Sequence, residues 1–308
     1  MCIRDSWNGY CPKNFGNKYY GNISLADALK NSLNTVAVQL QDIVGFDAVI
    51  DIANNFNIGT ERPLSKYYPM AIGAYEQTIL DMTAAYAGMA NRGVYFTPSP
   101  FEEIRGPKNE LLWSRRLSGS PGKRAVDSDV ADTMNWMLQR VVTGGTGIAA
   151  KLDDRQVAGK TGTSENTRDL WFIGSIPQLT TGVWFGYDDD RATKSTSGEA
   201  AWAWKQFMLQ IKDEIPVRAF PDKPKTKRKV RLAVDPKTIA KPPKTKPKQR
   251  PKANGEPDAA QPTVETDQPT AKPVAPPARQ TPYLWRNNTP DRDVDRQGRR
   301  WSRDYPRR

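Results

Sequence analysis

An α+β fold, with an antiparallel sheet packed against helices, is what this sequence predicts, and three observations predict it. Residues 24–93 and 127–147 repeat apolar side chains at helical spacing, whereas residues 156–187 hold three short strand-like runs separated by turns, the pattern of an antiparallel meander. A last amphipathic run, residues 199–213, carries enough apolar surface to return over that sheet. The chain of 308 residues has a net charge of +12, and that charge sets the domain plan. Residues 221–308 alone hold 23 Lys/Arg against 10 Asp/Glu, a net of +13, so residues 1–220 carry −1. Thirteen of the 25 prolines also fall between positions 221 and 277. We therefore expect a near-neutral globular body over residues 7–220 and a Pro/Lys-rich tail over 221–308 that cannot bury enough apolar surface to fold. Residues 1–6 look unrelated to the rest of the chain and are read as a non-native leader.

In chain order, residues 7–20 are rich in Asn, Gly, Lys and Tyr and read as loop. Ser24 is placed to cap a helix, with Asp27 at the third position and Leu25, Ala28 and Leu29 as its stripe. The pattern resumes through Val36, Leu40 and Val44 until Gly45 stops it. Between the halves lies Asn31-Ser32-Leu33-Asn34, whose Ser and Asn side chains compete with helix for backbone groups; the quartet is a break that aims Ser32 and Asn34 in one direction. A second helix carries Phe46, Val49, Ile50, Ala53 and Phe56. Ala71-Ile72-Gly73-Ala74 reads as a buried small-residue turn. Thr78 and Asp81 then open a third helix bearing Ile79, Met82, Ala85, Tyr86 and Met89, closed by Gly93.

Residues 98–123 are connecting chain with a hairpin over 101–113. Asp127 caps a helix with Val130, Met134, Met137, Leu138 and Val141, broken by Gly144-Gly145-Thr146-Gly147. That glycine cluster lacks the Lys-Ser or Lys-Thr of a phosphate loop, so no nucleotide site is expected. The strand-like runs are 156–164, 170–176 and 181–187, and the closing helix offers Ala201, Trp202, Trp204, Phe207, Met208 and Ile211.

The absence of histidine excludes a Ser-His-Asp triad, a Cys-His dyad and the usual zinc ligand sets, and no cofactor or metal is expected. Cys2 and Cys11 suggest no disulfide framework. Chemistry in this chain points instead to Gly159-Lys160-Thr161-Gly162-Thr163-Ser164. Lys160 brings a cation, Thr161 and Thr163 bring hydroxyls, and Gly162 leaves room for a second backbone to lie close. Those groups suit an extended peptide ending in a carboxylate, added to the strand edge. A turn entering a strand explains the tetrapeptide equally well by itself.

The order of motifs is more specific. Ser32-Leu33-Asn34, then Lys160-Thr161-Gly162-Thr163, then Asp169-Leu170-Trp171-Phe172-Ile173-Gly174 and Val183-Trp184-Phe185-Gly186, resembles the transpeptidase domain of class A, bifunctional penicillin-binding proteins. The flanks around Ser24, Ala84 and Thr143 resemble that family too, from about Trp7 to Ile211. The resemblance implies a serine β-lactamase/penicillin-binding transpeptidase-like fold, here as a partial domain. It also implies acyl transfer on the D-Ala-D-Ala end of peptidoglycan stem peptides, with β-lactams as mimics of the donor.

By motif match, Ser32 relays a proton to the leaving amine, Asn34 holds the substrate amide and Lys160 supplies positive potential. Thr161, Gly162 and Thr163 bind substrate; the two threonines take the carboxylate, and the Thr163 N–H helps form an oxyanion hole. The family's Ser-x-x-Lys nucleophile is expected N-terminal to Ser-x-Asn, and nothing upstream of Ser32 has that spacing. Ser120-Pro121-Gly122-Lys123 has it in the wrong order. The chain therefore reads as a fragment with two of three motifs, itself inactive, from a protein at the periplasmic face of the inner membrane held by an anchor outside this sequence. Competing readings are a D,D-carboxypeptidase or β-lactamase-like hydrolase, and a non-catalytic wall-binding module. The tail's partners would be anionic wall polymer, lipid headgroups or another protein, with no nucleic acid expected.

Overall fold

A computed structural model describes residues 10–118 and 122–225. These belong to one compact unit; the tail from residue 226 onward, and the leader, lie outside the described residues. Seven α-helices are described: α1 (Leu25–Lys30), α2 (Asn34–Val44), α3 (Phe46–Asn55), α4 (Ile79–Ala90), α5 (Arg115–Ser118), α6 (Ser128–Gly144) and α7 (Ser197–Ile211). Seven strands accompany them: β1 (Val94–Tyr95), β2 (Glu103–Arg105), β3 (Leu111–Ser114), β4 (Lys123–Arg124), β5 (Ala158–Thr163), β6 (Leu170–Ile176) and β7 (Leu179–Phe185). β5, β6 and β7 form the antiparallel meander in that spatial order, while β1–β4 and β2–β3 are separate two-stranded pairs.

Capping chemistry places the helices where the sequence puts them. Ser24 and Thr78 accept from the N–H groups of Asp27 and Asp81 at 3.1 and 3.0 Å, closing the N-termini of α1 and α4. Gly45, at φ 89°, separates α2 from α3. The start of α2 has no capping side chain of its own, because Leu33 sits at the cap position. Asn14, only 4% exposed, takes that role from the N-terminal loop by accepting from Thr35 N at 3.1 Å.

The meander is the middle of three layers. Phe172 and Ile176 of β6 face α7, where Phe172 meets Trp204 edge-on at 5.6 Å, and Met208 completes the core. The opposite face carries Ala158, packed with Leu138 of α6, Leu29 of α1 and Tyr86 and Ala90 of α4. Pairing sets which face each β5 residue takes. Lys160 lies opposite Ile173, and Thr161 opposite Phe172, so the two side chains leave the strand on opposite faces.

Several expectations are corrected. The buried face of α6 is wider than expected: Leu138 and Val141 are buried as expected, Val130 is exposed, and Ala131, Asp132, Asn135 and Val142 are buried as well. Polar Asp132 and Asn135 are tolerated inside because Arg92 pairs with the first at 2.9 Å and the Met89 carbonyl accepts from the second at 3.0 Å. Trp202 and Phe207 of α7 face outward, whereas Ala200, Ala201, Trp204, Met208 and Ile211 pack into the core beneath the sheet. Ile72, Gly73 and Ala74 are exposed rather than buried, as suits a turn whose backbone groups are best satisfied by water. Cys11 is disulfide-bonded, although the two cysteines suggest no disulfide framework by sequence. The body also continues in packed form through Phe220, which is buried, and Lys223, whose ammonium lies 4.6 Å from the Trp136 ring centroid.

Candidate active site

The site is made where the end of α1, the end of α6 and β5 meet. α1 stops at Asn31 through a pair of closing bonds, Ser32 N–H to the Leu29 carbonyl at 3.0 Å and Leu33 N–H to the Ala28 carbonyl at 3.0 Å. This is a Schellman stop, in which the residue after the cap takes a left-handed conformation usually reserved for glycine. Ser32 holds it at φ 53°. A serine here carries a strain on the order of 1 kcal/mol and places a hydroxyl at a spot where glycine would leave none. Buried Leu33 and Ala28 supply the apolar contact that accompanies such stops.

The strained turn meets β5. Lys160 Nζ donates to Ser32 Oγ at 2.8 Å and to the carbonyl of Thr161 at 2.9 Å, joining positions 128 residues apart. Burial pushes the Lys160 ammonium down from 10.5 to about 8. Near neutral pH the group is a desolvated cation that sheds its proton more readily than a surface lysine, with a serine hydroxyl in hydrogen-bond reach.

The glycine turn after α6 holds this junction together. A Cβ at Gly145 would collide with the Lys30 carbonyl, and Thr146 N–H donates to that same carbonyl at 3.2 Å. Thr146 Oγ1 then lies 2.6 Å from Thr161 Oγ1. The Arg140–Asp27 pair, at 2.7 Å, adds a second tie between α6 and α1. Hydrogen bonds therefore run from Lys30 through Thr146, Thr161 and Lys160 to Ser32, two residues from where they began.

Ser32, Lys160 and Thr161 are thus brought together. Thr163 is exposed at the end of β5, on the same face as Thr161. Gly162 makes room for Trp171 of the neighbouring strand, whose Cβ would lie 3.1 Å from an added Cβ. Asn34 points to a different neighbour from Ser32: its Nδ2 donates to the Lys13 carbonyl at 2.8 Å, because α2 starts there and the N-terminal loop wraps its first turn. Beyond β5 the chain turns back through Ser164 Oγ, which accepts from Asp169 N at 2.8 Å, while Trp184 Nε1 donates to Asp169 Oδ1 at 2.9 Å. Sequence reasoning gives Thr146 as part of a helix-breaking turn and of a flank that resembles the family, and no local pattern identifies its partner.

Among the described residues, no group of three or more His, Cys, Asp or Glu could hold a metal ion, and no helix is long and apolar enough to cross a membrane.

Comparisons with known proteins concern the family and the fold. Residues 4–203 match the model of the penicillin binding protein transpeptidase domain. The chain is 37% identical over 211 residues to penicillin-binding protein 1A of Aquifex aeolicus, covering 66% of this chain and 27% of that protein. It is 31% identical over 245 residues to the Rickettsia conorii protein of the same name, covering 73% and 30%. The chain thus spans less than a third of the length of these curated relatives. Among solved structures it resembles the penicillin-binding protein PonA1 of Mycobacterium tuberculosis, with a TM-score of 0.65 at 24% identity, covering 73% of this chain and 68% of that one. PonA1 in complex with penicillin V gives a TM-score of 0.62 at 24% identity, covering 70% and 63%. At such identity these two show a shared fold. The family match spans well over half of the residues, and the chain belongs to the penicillin-binding protein transpeptidase family.

Proposed function

We propose that this chain supplies the Ser-x-Asn and Lys-Thr-Gly part of a serine D,D-transpeptidase site acting on peptidoglycan stem peptides that end in D-Ala-D-Ala. The observation that carries the reading is the 2.8 Å bond from Lys160 to Ser32, made by a desolvated lysine to a serine in a strained turn. In the proposed reaction an acylatable serine attacks the carbonyl of the penultimate D-Ala, its proton passes through Ser32 to the departing D-Ala amine, and an amine of a second strand later takes the acyl group. Lys160 supports this by positive potential through the strand, while Thr161 and Thr163 receive the terminal carboxylate on the other face. Asn34 would hold the substrate amide with its oxygen, since its nitrogen serves the Lys13 carbonyl. The penicillin V complex of PonA1 supports β-lactams as ligands of the same site.

No Ser-x-x-Lys precedes Ser32 in these 308 residues, so the chain by itself is proposed to be inactive, with its nucleophile supplied by a preceding segment of the intact protein at the periplasmic face of the inner membrane. The transpeptidase body is taken as residues 7–220 and the basic tail as 221–308. Labelling with fluorescent penicillin tests the assignment. The chain alone is expected to take up none covalently. A protein that also carries the Ser-x-x-Lys segment is expected to label, and Lys160→Ala in it should abolish labelling with its melting transition retained. Normal labelling of that variant would remove Lys160 from the site, and labelling of the present chain that survives Ser32→Ala would reveal a different nucleophile.

A further inference from the structure

We propose that Thr146 is a positioning residue for carboxylate recognition, its hydroxyl fixing that of Thr161 so that the Thr161 proton is presented to an anionic ligand. The inference rests on the reading that β5 receives the peptide's terminal carboxylate, and adds to it the residue that orients the receiving group.

Three observations support it. Thr146 Oγ1 and Thr161 Oγ1 are 2.6 Å apart, the short range of an O–H···O bond. Thr161 is only 8% exposed, so its hydroxyl has few alternatives to this partner. Thr146 itself is held in place from both sides. Its N–H donates to the Lys30 carbonyl; Gly145 is packed against that carbonyl; and Gly147 lies where an added Cβ would be 3.1 Å from Phe172 and 3.3 Å from Val141. A turn pinned in this way presents its hydroxyl from a fixed point.

Proton counting gives the bond its direction. Each threonine hydroxyl has one proton, so only one of the pair donates in the shared bond. If Thr161 donated to Thr146, its proton would be unavailable to a ligand. If Thr146 donates to Thr161, a lone pair of Thr161 is occupied and its own O–H turns toward the strand edge, polarised as a donor. A carboxylate only accepts, so a bound carboxylate selects the second arrangement. Lys160 cannot substitute for this donor, because its side chain leaves β5 on the opposite face.

The test is equilibrium binding, which needs no nucleophile. The full 308-residue chain is titrated by NMR with Nα,Nε-diacetyl-L-Lys-D-Ala-D-Ala and with the same peptide as its C-terminal amide, for the wild type, Thr146→Val and Thr146→Ser. The wild type should favour the acid by about tenfold, the scale of one charge-assisted hydrogen bond. Thr146→Val should lower that preference about threefold or more, with amide affinity unchanged, and Thr146→Ser should restore it. Thr146→Ala carries the same expectation should Thr146→Val not fold. A wild-type preference kept in the valine or alanine variant, or not restored by serine, overturns the role of Thr146 alone. Equal binding of acid and amide by the wild type, or binding of neither, overturns the reading of β5 and this inference with it.

Discussion

The two faces of β5 differ in what they are built for. Toward α7 the strand meets Phe172, Trp204 and Met208, all fully buried, and Gly159 is there because the Phe172 ring would come within 2.6 Å of an added Cβ. Toward α1 and α6 the same strand presents a desolvated lysine to a serine in a left-handed turn. One face gains free energy from close-packed apolar contact; the other gives some of it up to a buried charge and a strained backbone. The apolar packing against α7 offsets the cost of the lysine side, while Thr161 and Thr163 lie on the Phe172 face, toward the end of the strand.

The largest effect should come from breaking the packed face. Trp204→Ala is expected to destabilise the chain by about 3–5 kcal/mol, the range for a buried aromatic truncated to alanine. Denaturant unfolding measures it, and a loss well under about 2 kcal/mol would mean that the α7 core is not what supports the sheet.

The next effect sharpens the contrast on the other face. Lys160 has a folded pKa of about 8 against an unfolded 10.5, so between those values the unfolded chain binds more protons and wild-type stability rises with pH. Below about pH 8 both states are protonated and the full cost of burying the charge is present. Lys160→Met removes that cost. It should gain up to about 3 kcal/mol relative to wild type near neutral pH, less whatever the lost bonds to Ser32 and Thr161 contributed. The advantage should shrink as pH climbs from about 8 to 10.5. A difference between the two proteins that stays flat across that window would show that Lys160 is not desolvated.

The smallest effect concerns the turn. Ser32→Gly and Ser32→Ala both lose the bond to Lys160, but only glycine relieves the left-handed strain, so the glycine variant should be the more stable of the two by about 1 kcal/mol. Thermal melts should therefore place the glycine variant above the alanine variant. Two variants with equal melts would show that the left-handed backbone at Ser32 carries no strain of consequence.

Much of this architecture is legible in the residues because its signals are local. Ser24 and Thr78 cap helices through bonds that reach three positions; Gly45 ends one; and the strand-like runs of β6 and β7, parted by a short turn, declare a meander. The misreadings arise where a distant partner decides. Asp132 and Asn135 are polar by sequence yet buried, because Arg92 and Met89 meet them from 40 and 46 residues away. Trp202 and Phe207 are apolar yet exposed, since α7 has more apolar surface than the three-stranded sheet can cover. Leu33 gives no hint that its helix is capped by Asn14.

The candidate site divides in the same way. Lys160, Thr161 and Ser32 can be named from motif order, because their chemistry is written in residue type and spacing along a strand and a helix break. Thr146 cannot be identified as their neighbour, since its contact with Thr161 exists only once Gly145 lets α6 dock on the Lys30 carbonyl. The sequence by itself determined the fold class, the strand that carries the lysine and the turn that carries the serine, all products of local backbone preference and periodicity. Only the tertiary structure decided that Lys160 and Thr161 work from opposite faces of one strand, that burial brings the lysine to about 8, and that a pinned glycine turn holds the junction closed. Desolvation and close approach are properties of packed neighbours, and a linear sequence does not say which neighbours those are.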